Sequence, residues 1–387
     1  MEQPLPEQPK QGMLGTIWNW FKEDKVFLVS FILAVIFIIF GNAHFTTKFF
    51  DYKVIVTVFA LMLVVAGFRD TGLLRHFGQT LVNRSKNTRQ LVRFTTMLSF
   101  ISSIFFTNDV AILTMLPLYL ILTKNIKNRR SVYLGASFIL PAVHLGSGLL
   151  PSGNPHNLYL YSFFKIPTFD FLKGTGLMFI AGFIMLNLAC FFIAKDPIEI
   201  DTHVNHFRHR HTFVYVILMI LMIAAVLHGD KILLYIAAAI VAVTVFFYQR
   251  KLFKQVDYHL LLTFVCFFII VGNISTITVL TNFLRPFFQS VSGSFLGTII
   301  VSQGISNIPA SVLIAPFTTH GLAVVLGADV GGIGTIMASM ATLIFYKVMT
   351  LQAFAERKGF VRYFMITNTI FVIALAVIGL LVLHFIS

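Results

Sequence analysis

The sequence predicts an all-α, polytopic membrane protein built from two inverted-topology repeats, each with a re-entrant helical hairpin and a broken transmembrane helix. Three observations predict this fold class. The 387 residues are 57% hydrophobic and 11% charged, with a mean hydropathy of +0.85, which is far above the value for soluble domains. Two long apolar segments are interrupted by polar residues, and the two halves of the chain carry these segments in the same order. Segments of alternating polarity, which would predict a membrane barrel, do not occur, so helices are the spanning structure.

Nine segments are apolar enough to cross a membrane as helices, since about 20 residues span about 30 Å of hydrocarbon. They are residues 26–41, 53–68, 132–163, 174–194, 213–228, 231–249, 258–279, 326–345 and 363–385. The predicted organisation is an interfacial N-terminal segment (1–25), a first repeat (26–194), a linker with an extra helix (195–230) and a second repeat (231–385). The alternative for residues 1–25 is a disordered tail.

Two further segments, 91–123 and 286–319, are predicted to be hairpins. The first breaks at Thr107–Asp109 and is strongly basic on both flanks, so it enters from the cytoplasm and returns there. The second breaks at Ser306–Pro309 and has few basic neighbours, so it enters from outside. With a cytoplasmic N-terminus, six of the 29 Lys and Arg residues lie outside: Lys48, Lys53, Lys165, Lys173, Lys231 and Arg285. The net charge of +14 is therefore assigned to membrane orientation and not to a nucleic-acid partner.

The two hairpin tips align with each other. Thr107–Pro117 can be laid on Ser306–Pro316 without a gap, which pairs Asn108 with Asn307. A span broken by small residues follows each tip. The span at 213–228 has no counterpart in the first half, and this odd crossing turns the second repeat upside down. Chance similarity between apolar segments is the alternative.

The breaks in these elements are candidate ion sites. A helix interrupted within a bilayer leaves backbone N–H and C=O groups that protein or water must satisfy, and its oxygens suit a hard cation while helix N-termini favour an anion. The candidate oxygen ligands are Ser103, Thr107, Asn108 and Gly153 in the first half, and Ser302, Ser306, Asn307, Thr335, Ala338 and Ser339 in the second. The alternative for each Ser or Thr is packing or hydrogen bonding within its own helix.

Ionisable residues are scarce in the predicted spans, so each one is a functional hypothesis. Asp109 stands at the first hairpin tip. We interpret His144 as a hydrogen-bonded packing residue, His156 as a cap of its turn, and Asp329 as an interfacial residue that starts a helix. The histidines of the loop 201–211 are consistent with a transition-metal site, but we interpret this segment as a solvated basic loop.

Three motifs carry a resemblance to a known family: Phe105–Ala111 (FFTNDVA), Ser152–Tyr161 (SGNPHNLYLY) and Ile305–Ala310 (ISNIPA). They resemble the ion transporter superfamily, which contains divalent anion/sodium symporters, citrate carriers, arsenite permeases and certain sodium/proton antiporters. The chain looks most like the arsenite-permease-like anion permease branch. The resemblance runs over about residues 26–385.

The resemblance implies a homodimeric scaffold, a mobile region that moves like an elevator, and one cation site per repeat on either side of a midplane substrate. It implies these cation ligands: Ser103, Thr107, Asn108 and Gly153 in the first site, and Ser302, Ser306, Asn307 and Ala338 in the second. We expect the substrate to contact Asn108, Asp109, Asn154, Asn307 and Ser339. The dicarboxylate carriers have a hydroxyl residue after each tip asparagine, where this chain has Asp109 and Ile308. A carboxylate there repels a dicarboxylate and favours a neutral or proton-linked substrate such as arsenite.

The expected function is secondary active transport of a small anion or oxyanion across the cell membrane, coupled to Na+ or H+. Asp109 is expected to couple transport to charge, either by carrying a proton or by neutralising a bound cation. Arsenite or antimonite efflux and Na+/H+ antiport are the alternatives, and a passive channel is a further one. An enzyme is not expected, since the sequence contains no His-Glu-x-x-His, Gly-x-Ser-x-Gly or nucleotide-binding loop. No catalytic residue and no cofactor beyond the coupling ion is assigned.

Overall fold

The computed structural model describes residues 20, 24–41, 49–198, 208–274, 276–351 and 357–386. Within these ranges the regular structure is helical, and the only β-pairing is an isolated bridge between Asn87 and Pro197. The predicted all-α class is therefore confirmed. The predicted interfacial segment 1–25 lies outside the described residues, apart from Trp20, Asp24 and Lys25.

Seventeen α-helices follow one another through the described residues. They are α1 (Lys25–Phe40), α2 (Tyr52–Thr71), α3 (Leu73–Asn83), α4 (Thr88–Ser102), α5 (Asn108–Thr123), α6 (Arg129–Ser147), α7 (Pro155–Phe163), α8 (Thr168–Ala189), α9 (His209–His228), α10 (Lys231–Gln249), α11 (Tyr258–Ile274), α12 (Thr278–Leu284), α13 (Val291–Ile305), α14 (Asn307–Ile314), α15 (Gly321–Gly331), α16 (Met340–Leu351) and α17 (Arg357–Ile386). The amphipathic helix α3 was not predicted.

Five stretches of the described chain are long and apolar enough to cross a membrane. They are Tyr52–Thr71, Thr168–Phe192, His209–His228, Lys231–Gln255 and Gly359–Ile386. The helices at the two hairpins and the two broken spans are shorter, with 8 to 19 residues each. Paired short helices in place of single long ones are what the sequence predicts at these positions.

Both predicted hairpins and both predicted broken spans are present. The first hairpin is α4 and α5, the second is α13 and α14, and the broken spans are α6–α7 and α15–α16. The same order of elements occurs twice, from α1 to α8 and from α10 to α17. It consists of two helices, one short helix, a hairpin, a broken helix and a final helix. Helix α9 stands between them without a counterpart, as predicted for residues 213–228.

The chain forms two compact units. The smaller contains Met1–Asp51 and Asp257–Ile277, and there α1 packs on α11 while the Trp20 and His259 rings stack with centroids 4.1 Å apart. The larger contains Tyr52–Val256 and Thr278–Ser387. Both hairpins and both broken helices lie in the larger unit.

Packing within the larger unit relates the two halves. The first arm of each hairpin packs on the first piece of the broken helix of its own half, α4 on α6 and α13 on α15. The second arm packs on the second piece of the other half's broken helix, α5 on α16 and α14 on α7. This exchange is the pattern that a twofold relation between the repeats produces.

The orientation of this fold in the membrane is testable with single cysteines. We expect Lys127→Cys to react only with a cytoplasmic impermeant maleimide and Thr319→Cys only with an external one, because the basic flanks of the first hairpin retain it inside. Both side chains are exposed, whereas the native Cys190 and Cys266 are buried and are first replaced by Ala. Labelling of Lys127→Cys from outside would contradict the predicted topology.

Candidate functional site

The first hairpin tip is the turn between Ser102 and Asn108. Asn108 is buried and its side-chain oxygen accepts a hydrogen bond from the Asp109 backbone N–H at 2.9 Å. Thr107 is the N-cap of α5, and its side chain makes no capping hydrogen bond. Asp109 lies in the first turn of α5, where the helix dipole favours a negative charge.

The second tip is a single residue, Ser306, in an uncommon conformation. Its φ is 78° and its ψ is 149°, a region that residues other than glycine rarely occupy and that occurs at ligand-binding positions. The next residue, Asn307, is buried; its backbone N–H donates to the Ala338 carbonyl at 2.8 Å, and its side-chain N–H donates to the Ala328 carbonyl at 3.4 Å. The tip is thereby fixed to both sides of the break between α15 and α16.

The first broken helix depends on close backbone approaches. Helix α6 ends at Ser147, a short 3-10 turn covers Pro151–Gly153, and α7 begins at Pro155. A side chain at Gly146 would collide with the Phe100 carbonyl and the Ser103 hydroxyl, and one at Gly153 would collide with the Ser147 carbonyl. Glycine at 146 lets α6 approach the first hairpin, and glycine at 153 lets the turn fold back on the end of α6.

The second break is held by Gln303 of α13. The Gln303 side chain donates to the Gly331 carbonyl at 2.7 Å and accepts from the Thr335 backbone N–H at 2.8 Å, and the Thr335 hydroxyl donates to the Gln303 carbonyl at 2.7 Å. These bonds satisfy backbone groups that the interruption of the helix would otherwise leave unpaired.

The two halves meet between the broken helices. The His144 Nε2 and the Ser339 hydroxyl lie 3.0 Å apart, and both residues are buried. A Cβ built on Gly332 would stand 2.6 Å from the His144 ring and 2.8 Å from the Asn307 amide nitrogen. One buried polar region is therefore formed jointly by the first broken helix, the second break and the second tip. His144 is hydrogen-bonded, as predicted, and it lies at this junction.

Asp329 is not the interfacial helix-starting residue that the sequence predicted. Helix α15 begins at Gly321, so Asp329 lies two turns inside it and is 5% exposed. Its carboxylate accepts hydrogen bonds from the side-chain amides of Asn154 (3.3 Å) and Asn157 (3.2 Å) and contacts the His156 Nε2 at 3.1 Å. His156 therefore pairs with Asp329, and the prediction that it only caps its turn is also wrong.

The predicted ligands of the second cation site lie close together. Ser302 faces Gly331, Ser306 and Asn307 form the tip, and Ala338 accepts the Asn307 backbone bond. The hydroxyls of Ser103 and Ser302 donate within their own helices, to the Phe100 and Thr298 carbonyls, so packing explains part of their role. Their oxygens keep acceptor capacity for a cation.

In the first half, the Asn154 side chain donates a hydrogen bond to the Asp329 carboxylate. The ligand sets of the two cation sites stay predictions. Sequence reasoning missed Gln303 and Asn157. The available signals were an amide within an apolar segment for Gln303 and a second asparagine after the Asn154-Pro155 pair for Asn157. For the predicted histidine loop, His203 and His206 lie outside the described residues. Among the residues that the structure covers, no group of three His, Cys, Asp or Glu side chains could hold a metal ion.

Comparison with known proteins gives one family match and several relatives. A family model described as citrate transporter matches residues 13–322. An uncharacterized transporter of Methanocaldococcus jannaschii is 29% identical over 366 residues, covering 92% of this chain and 97% of the relative. The inner membrane protein YbiR of Escherichia coli is 29% identical over 303 residues, covering 76% and 79%.

Two further likenesses are more limited. The silicon efflux transporter LSI3 of Oryza sativa subsp. japonica is 28% identical over 169 residues, which cover 43% of this chain and 34% of the relative. The crystal structure of the YdaH transporter of Alcanivorax borkumensis aligns with a TM-score of 0.49 and 16% identity, over 94% of this chain and 97% of that one.

Proposed function

The chain belongs to the citrate transporter family, and from this premise we propose that it is a secondary active transporter that moves a small anion or oxyanion coupled to Na+ or H+. Membership in this family makes it a multi-pass membrane transporter, and a transport role in place of an enzymatic one is part of the proposal. The observation that carries the finer proposal is the buried junction where His144 of the first half meets Asn307 and Ser339 of the second. A site built from both repeats can be exposed to one side of the membrane or the other when the elements that carry it move together.

The proposed substrate site lies between the two tips. Helices α5 and α14 begin at Asn108 and Asn307, and their N-termini supply positive dipole ends that suit an anion. The two asparagine amides add one acceptor and two donors each. Cations bound by the serine, threonine and backbone oxygens beside each tip would offset the substrate's negative charge.

Elevator-type movement is part of the proposal. Each hairpin packs on the broken helix of both halves, through its first arm on its own half and its second arm on the other. Four elements joined in this way cannot move separately without breaking buried contacts. We therefore propose that the two hairpins and the two broken helices carry the substrate as one body, with the protein as a homodimer.

A second candidate is efflux of a neutral oxyacid such as arsenite. Asp109 lies next to the tip residue Asn108, and its carboxylate disfavours a substrate carboxylate at that end of the site. The silicon efflux transporter of Oryza sativa is a relative over part of the chain. Uptake of citrate supports the first candidate, and uptake of arsenite or silicic acid supports the second.

Proteoliposome flux tests the proposal. Purified protein is reconstituted, and radiolabelled citrate, arsenite or silicic acid is offered with an inward Na+ gradient, an inward proton gradient or neither, with protein-free liposomes as the control. We expect accumulation above the external concentration only when one gradient is present. Equilibration without accumulation would indicate a channel. Failure of all three solutes to enter would contradict the proposed substrate classes.

A further inference from the structure

A buried carboxylate joins the two halves, and one of its partners, Asn154, is also an expected substrate contact. Asp329 belongs to α15 of the second half, and its three partners Asn154, His156 and Asn157 follow the break in the first half. All four side chains are buried. Because each partner presents a nitrogen to the carboxylate, the arrangement is built for an ionised aspartate.

The charge of this cluster depends on a single proton. An unpaired carboxylate in a membrane interior is energetically unfavourable, so a counter-charge is needed. His156, at 3.1 Å, is the ionisable side chain that contacts Asp329. With a proton on the pair the cluster is neutral, and without it the cluster carries one buried negative charge.

Among the side chains that the structure describes, no other titratable group on the helices packed against α15 hydrogen-bonds to or pairs with the carboxylate. Helices α13 and α14 contain none. The exposed ones are Arg129 and Arg130 of α6, Asp170 and Lys173 of α8, and Arg362 and His384 of α17. The remaining ones with described side chains are Tyr133 and His144 on α6, Tyr159 and Tyr161 on α7, and Tyr363 on α17. Of these, His144 is the second buried histidine and its Nε2 is engaged by Ser339.

The side-chain amides beside the carboxylate also have oxygens that can accept hydrogen bonds in a proton relay. The side-chain oxygens of Asn154 and Asn157 are buried and have no hydrogen-bond partner in the described structure. Buried polar atoms without a protein partner are positions where ordered water binds. Water at these oxygens would link the pair to the broken segment that precedes α7.

We propose that Asp329 and His156 form a proton-binding site that holds one exchangeable proton between the two repeats. Its release leaves a negative charge in the protein interior, which only a bound cation or rebinding of a proton offsets. The site would thus exchange a proton when movement of the body that carries both broken helices exposes it to water. The claim that this proton is carried during transport rests on the proposed function, whereas the existence of the site does not.

Proton counting without any transported solute tests the site. The protein is placed in lipid nanodiscs in unbuffered salt solution and titrated from about pH 8 to about pH 5, the range in which histidine changes charge. We expect the wild type to take up one more proton than Asp329→Asn, because a buried imidazolium is not formed without its carboxylate. His156→Gln retains a side-chain N–H, and it is also expected to take up one proton fewer than the wild type. The proton uptake of each variant is compared with the wild type on its own, using monodisperse protein.

The matched control is Asp170→Asn. Asp170 is an exposed aspartate in the first turn of α8 and lies outside the Asp329–His156 cluster, so this variant should match the wild type. Equal proton uptake by wild type, Asp329→Asn and His156→Gln would overturn the proposal and make the cluster a structural hydrogen-bond network. If the wild type takes up one more proton than Asp329→Asn and His156→Gln but no solute shows flux, only the proposed function is refuted.

Discussion

Replacing Asn307 with alanine is expected to abolish transport and to leave a folded protein. The substitution removes both side-chain polar atoms, whereas the backbone N–H that bonds to the Ala338 carbonyl remains. Loss of a buried hydrogen bond to a charged ligand costs about 1.5–3 kcal/mol, which corresponds to about a 10- to 150-fold weaker binding. The side-chain bond to Ala328 is long, at 3.4 Å, so its loss affects folding less.

The same reasoning applies to Asn108, the equivalent residue of the first tip. We expect Asn108→Ala to reduce the initial rate of proteoliposome uptake as strongly as Asn307→Ala, because the two amides face the same substrate from opposite halves in the proposal. A loss in only one of the two variants would mean that the repeats do not share the site equally.

Asn187→Ala is the matched control for both variants. Asn187 lies on α8 and contacts Arg93 and Met97, away from both tips. It should transport at the wild-type rate, and all three variants should elute as monodisperse protein of equal yield. Normal uptake by a folded Asn307→Ala variant would assign the second tip to packing.

The hairpins and broken helices were predictable because they interrupt apolar segments with polar and small residues. Such interruptions are local in sequence: Thr107–Asp109 and Ser306–Pro309 are read within a few positions. The structure confirms a break at each of them. The order of elements was predictable for the same reason, since each half repeats the same series of local signals.

The contacts of Asp329 were not predictable from local patterns. The carboxylate meets Asn154, His156 and Asn157 across more than 170 positions of sequence. The prediction also began the span at residue 326, whereas the apolar stretch from Gly321 already forms helix α15. Because the predicted helix began five residues too late, Asp329 was predicted to lie at the membrane interface, although it is buried.

Gln303 illustrates a second limit. Its side chain bridges Gly331 and Thr335 across the second break, and its counterpart in the tip alignment, Ile104, cannot do so. The repeat therefore predicted the position of the break and not the residue that holds it. Departures from the repeat have to be found in the packed structure.

Asp109→Asn is expected to weaken the dependence of transport on Na+ and to leave the proton count of the Asp329–His156 site unchanged. The substitution preserves shape and hydrogen-bonding capacity while deleting the charge beside Asn108. A unit charge about 4 Å from a bound cation contributes between about 1 and about 4 kcal/mol, depending on the surrounding dielectric. We therefore expect the half-saturating Na+ concentration in proteoliposome uptake to rise at least about fivefold.

Asp170→Asn is again the matched control, since Asp170 also occupies the first turn of a helix but is exposed at the start of α8. If Asp109 acted only by stabilising the N-terminus of its helix, Asp109→Asn and Asp170→Asn would lose stability to a similar extent. Neither variant would then change the Na+ dependence of transport. A selective change in Asp109→Asn therefore separates cation binding from helix capping. Wild-type Na+ and pH profiles in Asp109→Asn would make Asp109 a cap, and the hydroxyl and carbonyl oxygens at the tips would then have to bind the cation without a carboxylate.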